Sequence, residues 1–313
     1  MKVHHHDVPR FGGLGIVLGT FLGTVACGSF CTIPHLKWAT VLLVSLPVVL
    51  TGAVDDIRGL SPEAKLLGQL LSSLGMSVML ITQLIHGVPA VHLLLATAAS
   101  TVFLCFMTNS TNLLDGMDGL ASGIAIIICL SLAGLAYLAG YRQLVVLPAS
   151  LAGACFGFLL LNLPPAKTFM GDIGSNFLGY VIGLVTLQLI AAEPLTLSRI
   201  IGMGLVLLVP ISDTSFAIIR RLRNGGNPLI GDRLHLYDCL HEEFGRRPWV
   251  TLTVMWSITL ISCALGIIAA VFLDSTQAIL LAFFGVASVF SLAAKVGSLG
   301  VRRRSSPGAG LKA

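Results

Sequence analysis

The sequence predicts an all-α protein: a polytopic bundle of about ten transmembrane helices with both termini in the cytoplasm. Apolar residues make up 55% of the 313-residue chain, charged residues make up 11%, and the mean hydropathy is +0.93. These values are typical of a protein embedded in a bilayer and exclude a soluble globular domain. Apolar stretches long enough to cross a hydrocarbon core of about 30 Å recur along the chain, separated by short polar breaks.

Ten apolar stretches predict the spans. Each should be helical, because in lipid only a helix or a closed barrel satisfies its own backbone groups, and these stretches lack the alternation of a barrel strand. The predicted spans are residues 12–30, 38–54, 64–85, 91–108, 120–140, 143–163, 175–192, 199–219, 249–273 and 277–294. We expect residues 1–301 to form one integral membrane domain, and the basic segment 302–313 to be a disordered cytosolic tail.

The basic residues predict the orientation in the membrane. With residue 1 in the cytoplasm, all of the 19 Lys and Arg residues fall on the cytoplasmic side except Lys37, Arg142 and Arg199. This asymmetry follows the positive-inside rule. The net charge of +5 is explained by this topology and by the anionic lipid nearby, so a nucleic-acid partner is not needed.

Polar residues of the kind that carry chemistry lie in five predicted cytoplasmic loops, numbered in chain order. Loop one is VHHHDVPRFGG, loop two AVDDIRGLSPEAKLLGQ, loop three TNSTNLLDGMDGL, loop four LNLPPAKTFMGDIGSN, and loop five is residues 220–248. Asp55 and Asp56 are adjacent at the end of the second span, and on a helix they would point about 100° apart, which favours two different roles. Asp172 lies in GDIGS, just before a span. Free amides at that helix N-terminus could receive phosphate oxygens.

The stretch NSTNLLDGMDGL places Asn109, Asn112, Asp115 and Asp118 at intervals of three residues. On a helix these four side chains would form one polar ridge. With the loop aspartates described above, five carboxylates lie on one membrane face without enough local cations to neutralise them. This predicts a hard divalent cation, most simply Mg²⁺, bound together with a phosphate. The alternative is that the aspartates are solvated helix caps.

Several cations could neutralise a diphosphate and a lipid phosphate in the same loops, among them Arg10, Lys65, Arg233 and His235. For His235 the alternative is a surface histidine. We interpret the arginines at residues 220–223 as a positive-inside anchor.

Five stretches together resemble the polyprenyl-phosphate N-acetylhexosamine-1-phosphate transferase family, in its order and with its spacing, from about residue 9 to residue 240. They are PRFGG, DDIRGLSPEAKLLGQ, NSTNLLDGMDGL, FMGDIGSNFLG and DRLHLYD. The resemblance implies a multi-pass enzyme of the bacterial inner membrane that transfers a sugar 1-phosphate from a UDP-N-acetylhexosamine to undecaprenyl phosphate and releases UMP. It also implies Mg²⁺, or Mn²⁺, as cofactor, a role in cell-envelope polysaccharide synthesis such as that of lipopolysaccharide, and pairing as a homodimer.

The resemblance also implies roles for single residues. It makes Asp172 a metal ligand, with Asn112 as the second. It places Phe169 against uracil. The implied catalytic residues are Asp55 and Asp56, beside the lipid phosphate, and Asp115 and Asp118, at the nucleotide or metal. The predicted substrate-binding residues are Arg10, Lys65, Asn109, Asn112, Phe169, Arg233 and His235.

In the implied reaction, an oxygen of the lipid phosphate attacks the β-phosphorus of the UDP-sugar and UMP leaves. The lipid phosphate is already largely ionised at neutral pH, so we expect catalysis to depend mostly on positioning and charge neutralisation. Asp55 or Asp56 is the candidate for removing a remaining proton, and an aspartyl-phosphate intermediate is the alternative.

Two departures from the family pattern bear on the substrate. Family members commonly have one further span before PRxGG, a motif that begins at residue 9 of the sequence given. Many members that use UDP-N-acetylglucosamine have H-x-H-H where this chain has His235-Leu236-Tyr237-Asp238. N-acetylglucosamine is the preferred sugar, and a deoxy- or diamino-hexosamine or a muramoyl-pentapeptide donor is the alternative. A cation- or proton-coupled transporter is the alternative class, because acids in membrane helices also serve ion pathways.

Overall fold

A computed structural model describes residues 9–28, 38–84, 89–192, 195–227 and 231–300. The predicted tail, 302–313, lies outside these residues. Regular structure in the described ranges is helical, with a single 3-10 turn before α6. The helices are α1 Gly12–Gly28, α2 Trp38–Arg58, α3 Pro62–Leu84, α4 Ala90–Leu114, α5 Leu120–Leu138, α6 Val146–Asn162, α7 Gly171–Ala191, α8 Leu197–Val206, α9 Leu208–Arg223, α10 Leu236–Glu243, α11 Pro248–Phe272 and α12 Ser275–Val296.

Every helix of the described residues except α10 overlaps a predicted apolar stretch. Among the described residues, seven helical segments are long and apolar enough to cross a membrane: α3 to α7, α11 and α12, with α6 counted from its preceding 3-10 turn. Helices α1 and α2 occupy two further predicted ranges. The prediction of an all-helical, polytopic membrane protein is therefore confirmed, whereas ten spans and cytoplasmic termini remain predictions.

The stretch 199–219, which we predicted to be one helical span, is broken into two helices. Helix α8 ends at Val206, α9 begins at Leu208, and the two axes differ by 74°. Pro210 gives a physical reason, because a proline lacks the amide proton and its ring clashes with the carbonyl four residues earlier, here that of Val206. The residues are therefore helical as predicted but do not form one continuous helix, and the span over 199–219 stays a prediction.

The bundle buries polar side chains within its apolar core and exposes large apolar side chains, in a way that suits lipid. Ser72, Ser73 and Ser77 of α3 are fully buried, whereas Phe283 and Phe284 on α12 are 67% and 66% exposed. Helix α7 runs through the centre, packs against α1, α2 and α4, and has most of its residues buried. Outward-facing phenylalanines and inward-facing hydroxyls are the arrangement expected where hydrocarbon, not water, surrounds the protein.

At one end of the bundle, the segment before α1 pairs with the segment before α7. The amide of Phe169 donates to the carbonyl of Pro9 over 2.9 Å, and the amide of Gly12 donates back to Phe169 over 3.0 Å. The amide of Gly13 donates to Met170 over 2.9 Å. This backbone pairing brings the first predicted loop onto the fourth.

Candidate active site

A cavity of about 240 Å³ opens at the end of the bundle where the first four predicted loops meet. Its lining combines carboxylates, a guanidinium, an aromatic ring and glycines from sequence regions that are far apart. The lining residues are Arg10, Asp56, Asp115, Gly116, Met117, Asp118, Asn162, Phe169, Gly171 and Asp172. Six of the residues predicted for the site, among them Phe169, therefore share one cavity.

Asp56 caps the N-terminus of α7. Its Oδ1 accepts from the amide of Asp172 over 2.9 Å, and its Oδ2 accepts from the amide of Ile173 over 3.1 Å. A carboxylate at this position satisfies amides that the helix leaves unpaired and interacts favourably with the helix dipole. Gly171, with φ +67°, leaves room for the cap, because a Cβ there would lie 2.5 Å from Asp56 Oδ2. We expected such amides to receive phosphate, and for these two that expectation was wrong.

Lys65 joins the second predicted loop to α7. Its Nζ lies 2.7 Å from Asp55 Oδ2 and 2.9 Å from Asp172 Oδ2. The other oxygen of Asp55 accepts from the amide of Leu60 over 2.7 Å, which closes the turn between α2 and α3. Asp55 and its neighbour Asp56 thus have different partners, as their angular separation on the helix predicted.

The carboxamides of α4 divide between two tasks. Asn112 Nδ2 donates to Asp172 Oδ1 over 3.1 Å and to Ser175 Oγ over 2.9 Å, so Asn112 supports the Asp172 carboxylate. Asn109, one turn earlier, donates instead to Gln69 Oε1 on α3 over 2.6 Å. Asn112 therefore contacts the cavity residue Asp172, whereas Asn109 faces the interface between α3 and α4.

The predicted polar ridge does not continue along one helix. Helix α4 ends at Leu114, Asp115 follows it, and the chain then turns through Gly119, which has φ +76°. Asp118 lies in this turn, and its Oδ2 accepts from the amide of Ala166 over 3.0 Å. The prediction that all four side chains lie on one helix was therefore wrong for Asp115 and Asp118. Both aspartates still line the cavity, and Asp118 joins the turn to the loop before α7.

The charges around the cavity are unbalanced. Burial raises the pKa of Asp115 well above its usual range, and the nearby carboxylates of Asp172, Asp56 and Asp118 raise it further. Four carboxylates line the cavity with one guanidinium, that of Arg10, and the Lys65 ammonium, which pairs with Asp172, is shared with Asp55 outside the lining. Such a surplus of negative charge favours a bound cation.

The donor set suits a hard divalent cation that shares its ligands with a substrate. The available ligands are oxygens, which Mg²⁺ prefers. Within the described residues, no three His, Cys, Asp or Glu side chains are grouped so as to hold a metal by themselves. Mg²⁺ commonly takes only one or two carboxylates and completes its shell with phosphate oxygens and water, so the residues fit that mode of binding.

The fifth predicted loop folds against the bent helix pair. His235 is 3% exposed, and its Nδ1 lies 2.6 Å from Oδ2 of Asp213 on α9. The amide of Leu236 donates to the other oxygen of Asp213 over 2.7 Å. His235 is therefore not a surface histidine. Neither it nor the exposed Arg233 is among the residues that line the cavity, and their substrate contacts remain predictions.

Arg220 and Arg221 are buried and bind the start of the same loop. Arg220 Nε and Nη2 donate to the two oxygens of Asp232 over 2.9 and 2.6 Å, and Arg221 Nη2 donates over 3.1 Å. Although burial raises the pKa of Asp232, the two guanidiniums outweigh it and lower that pKa to about 2. Arg220 and Arg221 are thus buried in an ion-pair cluster and Arg223 is exposed, and their interpretation as a positive-inside anchor stays a prediction.

Sequence reasoning missed three residues of this end of the molecule: Gln69, Asp213 and Asp232. Asp213 carried a signal, because an acid inside an otherwise apolar stretch is a functional or structural candidate by default. Gln69 and Asp232 carried none, since their partners come from other helices and depend on the tertiary fold.

The fold and the cavity define the class of protein: a multi-pass helical membrane protein with a carboxylate-rich site where its loops meet. Comparison with known proteins names the family. Residues 38–190 match glycosyl transferase family 4. The chain belongs to this family and is a phosphotransferase. This membership gives no support to the transporter alternative.

Three relatives illustrate the similarity. A probable undecaprenyl-phosphate N-acetylglucosaminyl 1-phosphate transferase of Bacillus subtilis is 33% identical, over 82% of this chain and 72% of the relative. A decaprenyl-phosphate N-acetylglucosaminephosphotransferase of Mycolicibacterium smegmatis is 32% identical, over 93% of this chain and 78% of the relative. A phospho-N-acetylmuramoyl-pentapeptide-transferase of Staphylococcus carnosus is 27% identical, over 83% and 84%.

Proposed function

We propose that the protein transfers N-acetylglucosamine 1-phosphate from UDP-N-acetylglucosamine to undecaprenyl phosphate and releases UMP. The observation that carries the proposal is the cavity with four carboxylates at the end of the membrane helices. A phosphate carried on a membrane lipid can reach that end of the bundle, and a water-soluble nucleotide sugar can enter it from the aqueous side. The substrates named for the Bacillus and Mycolicibacterium relatives support this acceptor class and this sugar.

We place the cavity at the cytoplasmic face of the bacterial inner membrane. The positive-inside pattern supports this orientation, because the loops that meet at the cavity lie on the same predicted side of the membrane as every Lys and Arg except Lys37, Arg142 and Arg199.

The residues that would hold Mg²⁺, or Mn²⁺, are Asp172 and Asp115, which face the same cavity, with Asn112 supporting Asp172. When bound, the cation would supply positive charge to the phosphate oxygens. Arg10 faces the same space and is suited to bind a phosphate, and the ring of Phe169 is suited to stack on uracil.

In the reaction, an oxygen of the lipid phosphate attacks the β-phosphorus, a new P–O bond forms, and the bond to UMP breaks. Asp55 and Asp56 each accept two strong interactions already, from Lys65 and Leu60 in one case and from α7 amides in the other. Donors of this kind stabilise the anion and weaken a carboxylate as a base. We therefore favour positioning over proton removal as the role of both residues.

A second candidate donor is UDP-N-acetylmuramoyl-pentapeptide. The Staphylococcus relative favours it, since its name carries that group and it matches 83% of this chain. The two higher-identity relatives favour the smaller sugar.

The test is release of UMP and formation of lipid-linked sugar by the purified protein in lipid. Undecaprenyl phosphate and Mg²⁺ are supplied with UDP-N-acetylglucosamine, UDP-N-acetylgalactosamine or UDP-N-acetylmuramoyl-pentapeptide in parallel. We expect turnover with UDP-N-acetylglucosamine that exceeds the others by about tenfold or more. A preference for the pentapeptide donor would contradict the proposed sugar, and no turnover with any donor by correctly folded protein would contradict the proposed reaction.

A further inference from the structure

Tyr237 connects the fifth predicted loop to the turn that carries Asp115. Its side chain is 5% exposed, and its hydroxyl donates to the carbonyl of Leu113 over 3.3 Å. Leu113 is in the last turn of α4, where carbonyls have no partner within the helix. The tyrosine therefore completes the end of α4 two residues before Asp115.

The same hydroxyl fills the space beside Gly116. A Cβ on Gly116 would overlap the hydroxyl and the end of the Tyr237 ring. Gly116 does not have a positive φ, so the backbone alone does not require glycine there. Gly116 lines the cavity, whereas Tyr237 lies behind it. The tyrosine thus packs against the turn formed by residues 115–119, which we call the DGMDG turn.

Tyr237 is itself fixed by the buried pair of α9 and the fifth loop. Its ring stacks on that of His235, with centroids 5.7 Å apart and planes 12° apart. His235 is held by Asp213 over 2.6 Å. Burial, with the nearby charges of Asp238, Asp213 and Asp115, raises the pKa of Tyr237, so its hydroxyl keeps its proton and remains a donor. Consecutive contacts therefore connect Asp213 on α9 with His235, His235 with Tyr237, and Tyr237 with the turn at Gly116.

We propose that Tyr237 is a positioning residue of the transferase, which fixes the turn at Gly116 and thereby holds Asp115 at its distance from Asp172. This inference rests on the proposed function, because it assigns Tyr237 a role in that reaction. Tyr237 touches neither the cavity nor the reacting atoms. Its removal should therefore lower kcat and leave KM for the nucleotide sugar little changed.

The test is a double-mutant cycle on the contact: Gly116→Ala, Tyr237→Ala and the two together, each assayed for kcat and KM. We expect Gly116→Ala alone to lower kcat by about tenfold to a hundredfold, because the added methyl pushes against the tyrosine and displaces the turn. In the Tyr237→Ala background the same methyl meets an emptied space, so it should lower kcat by no more than about twofold. Equal losses in the two backgrounds would overturn the proposal.

Two further variants exclude a general effect on folding. Tyr237→Phe keeps the ring that packs beside Gly116 and loses the hydroxyl. Its kcat should lie between those of the wild type and Tyr237→Ala, with KM unchanged. Gly134→Ala adds a methyl on α5, where nothing lies within 4 Å, and should leave kcat at the wild-type level. A wild-type kcat in Tyr237→Ala, or a loss that appears in KM, would overturn the positioning role.

Melting temperatures of the four proteins of the cycle separate this inference from the proposed function. Gly116→Ala should lower the melting temperature when Tyr237 is present and leave it nearly unchanged when it is absent, whether or not any substrate turns over. A wild type that releases no UMP overturns the proposed reaction and with it the role of Tyr237 in catalysis. Turnover without coupling between the two sites overturns only the role of Tyr237.

Discussion

Two charged clusters lie near the same end of the bundle and differ in the balance of their charges. Around the cavity, four carboxylates face a shared space with one guanidinium. In the second cluster, which we call the loop-five cluster, Asp232 binds Arg220 and Arg221, and Asp213 binds His235. The residues of the loop-five cluster are largely buried and pair with one another, so their charges are neutralised within the protein.

The difference indicates that the cavity carboxylates bind a ligand, whereas the residues of the loop-five cluster stabilise the fold. A buried charge is costly unless it is paired, so a group of like charges in a cavity favours a ligand of opposite charge. A balanced group needs no ligand, and its loss should affect stability before it affects chemistry. Asp172 and Arg220 are therefore expected to respond differently to substitution, although both are charged residues with ion-pair partners.

The largest expected effect follows removal of the divalent cation. Chelation of Mg²⁺ by EDTA should abolish UMP release, because four cavity carboxylates would then repel the phosphates of both substrates. Added Mg²⁺ should restore the rate, and Mn²⁺ should restore part of it. Substitutions in the loop-five cluster, such as Arg220→Gln, should not change the effect of EDTA on the melting temperature, because that cluster is not part of the cation site. Full turnover in EDTA would contradict the cation site.

Arg220→Gln should cause the next largest change, in stability. It leaves Asp232 with one partner fewer in a buried cluster, so we expect a loss of about 3 kcal/mol and a fall of several degrees in the melting temperature. Arg223→Gln is the matched control at the exposed end of the same helix and should change the melting temperature by little. Equal effects of the two substitutions would show that the loop-five cluster does not stabilise the fold.

Asp56→Asn should have a moderate effect on both properties. An amide can accept from only one of the two α7 amides and loses the favourable charge at the helix N-terminus, which should lower stability by about 1 kcal/mol and turnover by about tenfold. Positioning predicts that the pH–rate profile keeps its shape. Loss of the acidic limb of that profile in Asp56→Asn would instead identify Asp56 as a general base.

The smallest effect concerns the pH dependence of the loop-five cluster. The pKa of Asp232 is lowered to about 2, so its contribution to stability is fully present above its unfolded pKa of about 4 and is lost as the pH falls toward 2. The difference in melting temperature between the wild type and Asp232→Asn should be constant from pH 8 to about pH 5 and should narrow below that. A difference that changes between pH 8 and pH 6 would contradict this pairing.

Hydropathy and spacing predicted the long apolar helices and the gathering of the first four loops, because both follow from local chemistry. The apolar stretches predicted the positions of the long helices, and four predicted carboxylates, Asp56, Asp115, Asp118 and Asp172, share one cavity, whereas Asp55 does not line it. The failures have local causes too. Pro210 interrupts the helix over 199–219. Helix α4 ends at Leu114 and the chain turns through Gly119, so the ridge predicted from Asn109, Asn112, Asp115 and Asp118 does not continue past the helix.

The partners of the charged residues could not be predicted, because they depend on which helices become neighbours. Asp56 caps a helix that begins more than a hundred residues later. Arg220 and Asp232 are separated by a loop whose return is set by tertiary packing. The contact of Tyr237 with Gly116 is of the same kind, since the sequence shows only that a histidine of the family pattern is replaced.

We propose that phosphoryl transfer takes place in the cavity where carboxylates outnumber cationic side chains. The measurement that tests it most directly compares UMP release by Asp172→Asn with release by Asp274→Asn, at equal amounts of folded protein. Asp274 caps α12 away from the cavity, and asparagine also serves as an N-cap there. We predict that Asp172→Asn retains its fold and loses at least about a hundredfold in rate, whereas Asp274→Asn keeps the wild-type rate. Wild-type turnover by folded Asp172→Asn would contradict the account.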